Sequence, residues 1–237
     1  MSKKNYQACI LASGIGSRFK SSTPKQFKLL NGKPIYLYTL ETAIASNIFH
    51  YIEVKVQKQH FERVQNEINS LINSADCDVV VGFGEDERIE NIKSFINDQI
   101  QQHDEETNVA IFDANRPFIP VTLLEDLKEA CARTKASCPA RPVIDGCCYV
   151  DGQKILEIPN KENLFSLQTP EFINLGYYKK CVENLPDNKP FLGIAELVIY
   201  SQNYIEYVRS DERSFKVTEP RDWVYAEFLV KSGLIWD

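Results

Sequence analysis

Two kinds of hydrophobic pattern alternate through the first two-thirds of the chain. Short continuous or alternating apolar runs at 6–12, 51–57, 78–82 and 109–113 predict strands. Between them, 34–46, 61–72, 88–101 and 121–134 carry apolar residues at helical spacing, with Phe61, Val64, Ile68 and Leu71 on one stripe. Strands alternating with helices of this length predict parallel βαβ units. The expected fold class is therefore α/β, a Rossmann-like sheet with helices on both faces.

The pattern changes between 139 and 165. Two β-like runs, 147–150 and 154–158, flank Asp151-Gly152, a favoured hairpin turn, and predict a β-arm protruding from the α/β unit. Beyond it the chain returns to helix and strand, with strand-like apolar runs at 205–208 and 215–217 and a helix over 220–232. There is no internal repeat, linker or low-complexity segment. The reading is one domain over 1–237 with an inserted arm at 139–165.

Composition narrows the function classes. A chain of 237 residues that is 43% hydrophobic can bury a sizeable core. The formal charge of −6 argues against nucleic acid as a partner, although local basic clusters can hold a small phosphate ligand. The opening apolar run of about six residues is too short for a signal-peptide core, and none reaches the roughly 18–20 of a membrane span. Seven cysteines without a CxxC pair and three scattered histidines offer no zinc spacing. The expectation is a cytoplasmic protein with reduced thiols, with neither a membrane nor a nucleic acid as partner.

The chemistry starts where the first strand ends. Residues 10–27 read ILASGIGSRFKSSTPKQF. A strand feeding a glycine loop can aim backbone N–H groups at a phosphate. It is not a dinucleotide fingerprint, because Phe19 stands where the third glycine belongs, and it lacks the Gly-Lys-Ser/Thr of a kinase-type P-loop. What remains is a loop with Arg18 and Lys25, able to wrap a triphosphate and neutralise charge on its α-phosphate and departing pyrophosphate. Asp113, ending an apolar strand, sits where open parallel sheets place ligands.

Taken whole, LASGIGSRFKSSTPKQFKLLNGKPI resembles the opening of the 2-C-methyl-D-erythritol 4-phosphate cytidylyltransferase family, which includes the ribitol 5-phosphate cytidylyltransferases. The resemblance continues in order through Gly84-Glu85-Asp86-Glu87-Arg88, Phe112-Asp113-Ala114-Asn115-Arg116-Pro117-Phe118, Pro142-Val143-Ile144-Asp145, Gln168-Thr169-Pro170-Glu171-Phe172 and Phe215-Lys216-Val217-Thr218-Glu219-Pro220. It implies a nucleotidyltransferase that uses CTP with Mg²⁺ (Mn²⁺ as an alternative), a small phosphorylated acceptor as second substrate, and a homodimer that exchanges its β-arm. By the same resemblance, Arg18, Lys25 and Lys216 are the transition-state cations. Ala12, Ser13, Gly14, Ile15 and Gly16 form the triphosphate cradle. Gly84 and Asp86 face the cytidine, as does Asn91, which stands where the family usually has Ser. Asp113, Arg116, Asp145, Lys161 and Thr169 are assigned to the acceptor side, with Asp113 also a candidate metal ligand.

The departures from the family fall on the acceptor side. Gly146 replaces a threonine, and Lys161 replaces the arm arginine, keeping the charge but losing the planar fork. The Thr-Asp-Asp/Glu-Ala segment reads Leu192-Gly193-Ile194-Ala195-Glu196, without its acidic pair, and Asn115 stands in place of alanine. The expectation from these changes is cytidylyl transfer to another polyol, sugar or small-molecule phosphate, possible in surface polysaccharide synthesis. The alternatives are methylerythritol phosphate itself, a transferase for another nucleotide, and a catalytically silent nucleotide-binding scaffold.

Overall fold

The computed structural model describes residues 6–14, 19, 23–71, 77–186 and 189–234. Strand β1 (Tyr6–Leu11) leads through a short hairpin, β2 (Leu29–Leu30) and β3 (Lys33–Pro34), into α1 (Ile35–Ala45). Three further units follow: β4 (Tyr51–Val56) with α2 (Phe61–Leu71), β5 (Asp78–Phe83) with α3 (Arg88–Gln102), and β6 (Asn108–Asp113) with α4 (Val121–Thr134). Then come β7 (Ala136–Pro142), the hairpin β8 (Tyr149–Asp151) and β9 (Lys154–Glu157), β10 (Phe165–Leu167) and β11 (Glu171–Asn174). Helices α5 (Leu175–Glu183) and α6 (Ile194–Tyr200), strand β12 (Glu206–Arg209) and α7 (Pro220–Ser232) complete the order.

The main sheet runs β10-β7-β11-β6-β1-β4-β5, with β12 paired to β7. The half built from β6, β1, β4 and β5 is parallel, as the alternating pattern predicts. The other half is mixed, since β11 is antiparallel to both β6 and β7 while β12 is parallel to β7. Alternate residues of each strand feed two cores. Ala8, Ile10, Val54 and Phe112 pack under α1, α2 and α4, whereas Cys9, Val109 and Ile111 meet α3, α5 and α6. A third cluster joins α7 to α1 through Trp223, Ala226, Ile35 and Tyr38. The result is helices on both faces of one sheet, the arrangement expected from the sequence.

Chain order locates the crevice. From β1 the chain steps outward to β4 and β5, then returns to place β6 on the other side of β1. Ligands of open α/β sheets bind beyond the carboxyl ends of the strands at this reversal. Here Leu11 of β1 pairs with Asp113 of β6 in register, and Ala114 N donates to Leu11 O at 3.2 Å.

Two local expectations need correction. Residues 215–217 form no strand; they are an extended strap after a short 3-10 turn, joined to the body by a Val217 N to Asn115 O bond of 2.9 Å. The arm is narrower than 139–165, because β7 carries the main sheet to Pro142 and β10 resumes it at Phe165. Its hairpin turns at Gly152, with φ of 56°, and both strands are exposed throughout. Cys148 is likewise exposed. Among the described residues no helix is long and apolar enough to cross a membrane.

Candidate active site

A cavity of about 200 Å³ opens at the strand reversal, with Ser13, Lys25, Asp86, Arg88, Asp113 and Lys216 among the residues that line it. Gly14, Gln26, Asn91 and Asn115 complete the polar part of the wall. Of the expected cradle, Ser13 and Gly14 line the cavity. Ala12 is buried beneath it, its N–H donating to Lys55 O at 2.9 Å. Ile15, Gly16 and Arg18 lie outside the described residues.

The loop after β1 is held from below by Gln26, buried beside Lys25. Its side-chain amide donates to Ala12 O at 2.7 Å and to Gly14 O at 2.9 Å. Two carbonyl oxygens that would repel a triphosphate are thereby occupied by a donor. Sequence reasoning passed over Gln26, although its place next to Lys25 in the Pro24-Lys25-Gln26-Phe27 block was a signal.

The wall formed by residues 84–91 is equally constrained. Asn91 Oδ1 accepts from Glu85 N at 2.9 Å, and its Nδ2 donates to Glu85 O and Glu87 O, both at 2.8 Å. The side chain thus fastens the 84–87 loop while lining the cavity. Asp86 Oδ1 accepts from Gln57 Nε2 at 2.8 Å. Gly84 lets the two loops touch: a Cβ there would fall 2.6 Å from Ser13 Cβ and 2.9 Å from Asn91 Oδ1. Gly84→Ala is therefore expected to force the loops apart at a cost of about 1–3 kcal/mol. If CTP requires the closed arrangement, that cost weakens its binding by about 5–150-fold, which calorimetric titration would read; unchanged affinity would mean that CTP does not depend on this loop contact.

Asp113 is the electrostatic centre. Its Oδ2 lies 2.9 Å from Lys216 Nζ and 3.6 Å from Arg116 Nε, and its Oδ1 lies 3.4 Å from Arg88 Nε. Burial pushes this carboxyl upward, but Lys216, Arg88 and Arg116 outweigh it and hold Asp113 well below the usual carboxylate range. Arg88 is lowered by burial and raised more by Asp113 and Glu171, so it stays charged. In Arg116 burial dominates and the net shift is downward.

This crowding bears on the metal. Each oxygen of Asp113 already faces at least one cation, so its donor set does not fit a divalent-metal ligand. Among the described residues no group of three or more His, Cys, Asp or Glu side chains could hold a metal ion.

The acceptor-side residues divide. Only Asp113 lines the cavity. Arg116 is buried behind it, donating from Nη1 to Ser214 O at 2.7 Å, while Asn115 Nδ2 donates to Val217 O at 2.6 Å. Together they brace the strap that carries Lys216. Thr169 lies beneath Asp113, its Oγ1 accepting from Asp113 N at 3.2 Å. Asp145 and Lys161 are exposed on the arm, away from this cavity. Arg88, the first residue of α3, also enters the cavity.

Comparison with known proteins agrees with this geometry. The family model described as 2-C-methyl-D-erythritol 4-phosphate cytidylyltransferase (IspD) matches residues 6–232. The protein of that name from Lachnospira eligens is 28% identical, over 94% of this chain and 98% of its own length. Its namesake from Halalkalibacterium halodurans is also 28% identical, over 95% of this chain and 96% of its own. Among solved structures, the 4-diphosphocytidyl-2C-methyl-D-erythritol synthase of Anaerococcus prevotii superposes with a TM-score of 0.80 at 16% identity, covering 97% of both chains. The Francisella tularensis 2-C-methyl-D-erythritol 4-phosphate cytidylyltransferase gives 0.71 at 25% identity, over 94% of this chain and 99% of its own. With a strand-reversal crevice lined by Lys25, Asp113 and Lys216 and a family match along almost its whole length, the chain belongs to the 2-C-methyl-D-erythritol 4-phosphate cytidylyltransferase (IspD) family of CTP-dependent nucleotidyltransferases.

Proposed function

We propose that this chain transfers the cytidylyl group of CTP to 2-C-methyl-D-erythritol 4-phosphate. The observation that carries the proposal is the cavity in which Lys25, Lys216 and Arg88 face one another across the carboxyl ends of β1 and β6. Family membership and similarly named relatives support methylerythritol phosphate over the different acceptor expected from Gly146, Lys161 and Gly193-Ile194.

In this reading an oxygen of the acceptor phosphate attacks the α-phosphorus of CTP in line. A new P–O bond forms as the bond from the α-phosphorus to the bridging oxygen of the β-phosphate breaks, and pyrophosphate departs. Little covalent work falls to the protein; position and charge do most of it. Lys25 and Lys216 stabilise the negative charge spreading over the α-phosphate and the leaving group, and Arg18 is assigned the same task. Asp113 holds Lys216 extended into the cavity at 2.9 Å. A divalent cation brought in on the triphosphate would supply charge neutralisation there, since among the described residues no group of side chains builds a cage for it.

The acceptor assignment is tested by comparing kcat/KM for methylerythritol 4-phosphate with that for ribitol 5-phosphate and other polyol phosphates. The proposal expects methylerythritol 4-phosphate to lead. A clear preference for another acceptor would move the protein to that substrate and leave cytidylyl transfer intact.

The arm bears on the same site. Tyr149, Val150, Ile155, Leu156 and Ile158 are each 59–73% exposed on it, a gathering of exposed apolar side chains of the kind that marks an interface. A homodimer in which the arm crosses to the partner covers this surface and delivers Lys161 to the partner's acceptor phosphate. Lys161→Ala then raises KM for the acceptor and leaves CTP binding intact. Mixed dimers of a Lys161 variant and a Lys25 variant recover part of the activity. No recovery after verified subunit exchange would mean that each site is built from one chain.

A further inference from the structure

The family's acidic pair is missing from 192–196, yet Arg88 is not short of a carboxylate there. Glu171, buried at 6% exposure on β11, accepts from Arg88 Nη2 through Oε2 at 3.2 Å. Its other oxygen, Oε1, accepts from Ala195 N at 2.9 Å, in the first turn of α6. Arg88 Nη1 also donates to Leu192 O. The nearest acidic side chain of the segment itself, Glu196, is turned to Leu192 N, with its Oε2 at 2.7 Å.

Gly193 explains how Glu171 fits. A Cβ at 193 would lie 2.9 Å from Glu171 Oε2, 3.0 Å from Oε1 and 3.2 Å from Arg88 Nη1. The Glu171 carboxylate therefore occupies the volume in which a side chain at 193 would begin. A carboxylate arriving from β11 and one arriving from position 193 exclude each other.

Charge gives the arrangement its consequence. Arg88, Arg116 and Lys216 all face Asp113. If Asp113 alone answered three cations, the cluster would carry +2; Glu171 lowers this to +1 and shares Arg88. Asp113 then answers Arg88 only in part, and its Oδ2 faces Lys216 at 2.9 Å and Arg116 at 3.6 Å. Burying several like charges with too few partners is costly and displaces side chains toward solvent.

We propose that Glu171 is the positioning carboxylate of this site, supplied from β11 in place of the absent acidic pair, and that Gly193 is the clearance that admits it. Glu171 acts through Arg88 and Asp113 to keep Lys216 aligned for transfer. The inference rests on the cavity being the transfer site. Wild-type turnover tests that reading, and the pattern among variants tests Glu171.

The experiment moves the charge back. Glu171→Gln keeps an oxygen for Ala195 N and removes the negative charge. Loss of a supporting partner behind an active-site group typically accounts for roughly 10–100-fold, so kcat should fall about tenfold while KM for CTP changes less. Glu171→Ala removes the charge and also vacates the volume, so adding Gly193→Asp to it restores a carboxylate beside Arg88 and should recover most of the turnover lost in Glu171→Ala. The same Gly193→Asp in the wild-type background sets two carboxylates in one volume and should lower Tm more than it does in the Glu171→Ala background. This second readout requires no substrate. Wild-type turnover in Glu171→Gln, or additive effects on Tm together with no recovery in the double variant, would overturn the proposal. If the double variant fails to fold, Glu171→Asp, which keeps the charge one methylene shorter, must retain more turnover than Glu171→Gln. Equal turnover in those two would also overturn it.

Discussion

Asp113→Asn is expected to destabilise the fold by about 3–5 kcal/mol, the usual cost of removing one partner from a buried ionic network. The reason is the geometry around one carboxylate: Lys216, Arg88 and Arg116 lie 2.9, 3.4 and 3.6 Å away. Asparagine preserves shape and some hydrogen bonding but leaves these cations with Glu171 alone. Urea unfolding measures the effect, and a loss below about 1 kcal/mol, the range of an exposed ion pair, would contradict it. The pH dependence follows from the direction of the shift. A carboxyl depressed in the native state contributes stability that is complete above its unfolded value, about 3.9. The contribution is lost as pH falls below that value toward the native one. The wild-type protein should therefore lose more Tm between pH 5 and pH 3 than Asp113→Asn does.

Lys25→Ala is expected to reduce kcat by about 10²–10³-fold, the magnitude found when one fixed charge-stabilising group is removed from a transition state. Lys25 sits in a 3-10 turn, Lys25–Phe27, on the cavity wall. Gln26 of the same turn holds the loop after β1, so the lysine is presented from a braced segment. The fall should appear in kcat and kcat/KM alike, because charge on the leaving group develops only as the bond breaks. Steady-state kinetics with varied CTP separates the alternatives. A rise in KM with kcat unchanged would make Lys25 a ground-state binding residue, and near-wild-type turnover would remove it from the chemistry. Thermal unfolding is the control, since a side chain on the cavity wall carries little of the core.

Much of the fold was legible in the sequence because local signals agreed with tertiary packing. Helices at 121–134 and 220–232 coincide with α4 and α7. In α7 a Glu219–Asp222 capping box and Pro220 open the helix, and Gly233 with φ of 73° closes it. The parallel strands announced themselves as apolar runs. Strand β7 did not: ASCPARP is short of large apolar residues and contains Pro139 and Pro142, which weaken a strand assignment. The sheet tolerates Pro139, whose carbonyl still accepts from Gln168 N at 2.8 Å. The 215–217 run misled in the opposite way. Apolar residues flank Lys216 as they would in a strand, but Asn115 and Arg116 hold this segment as a strap, a tertiary constraint invisible to periodicity.

The site was legible on its nucleotide side and much less so behind it. Lys25, Lys216, Ser13, Gly14, Asp86, Asn91 and Asp113 converge as the motif order implies. Arg116 and Thr169 support Asp113 and the strap through tertiary contacts that spacing alone does not show. Glu171 carries no sequence signal for its position, which depends on the missing side chain at Gly193, more than 20 residues away in sequence.

The most direct test of cytidylyl transfer by this cavity is ³¹P NMR of the protein incubated with CTP, Mg²⁺ and methylerythritol 4-phosphate. The account predicts pyrophosphate and a new diphosphate-bridged product in equal amounts, with Lys25→Ala slowing both alike. Binding of CTP without either signal, or the same product rate from UTP as from CTP, would contradict it.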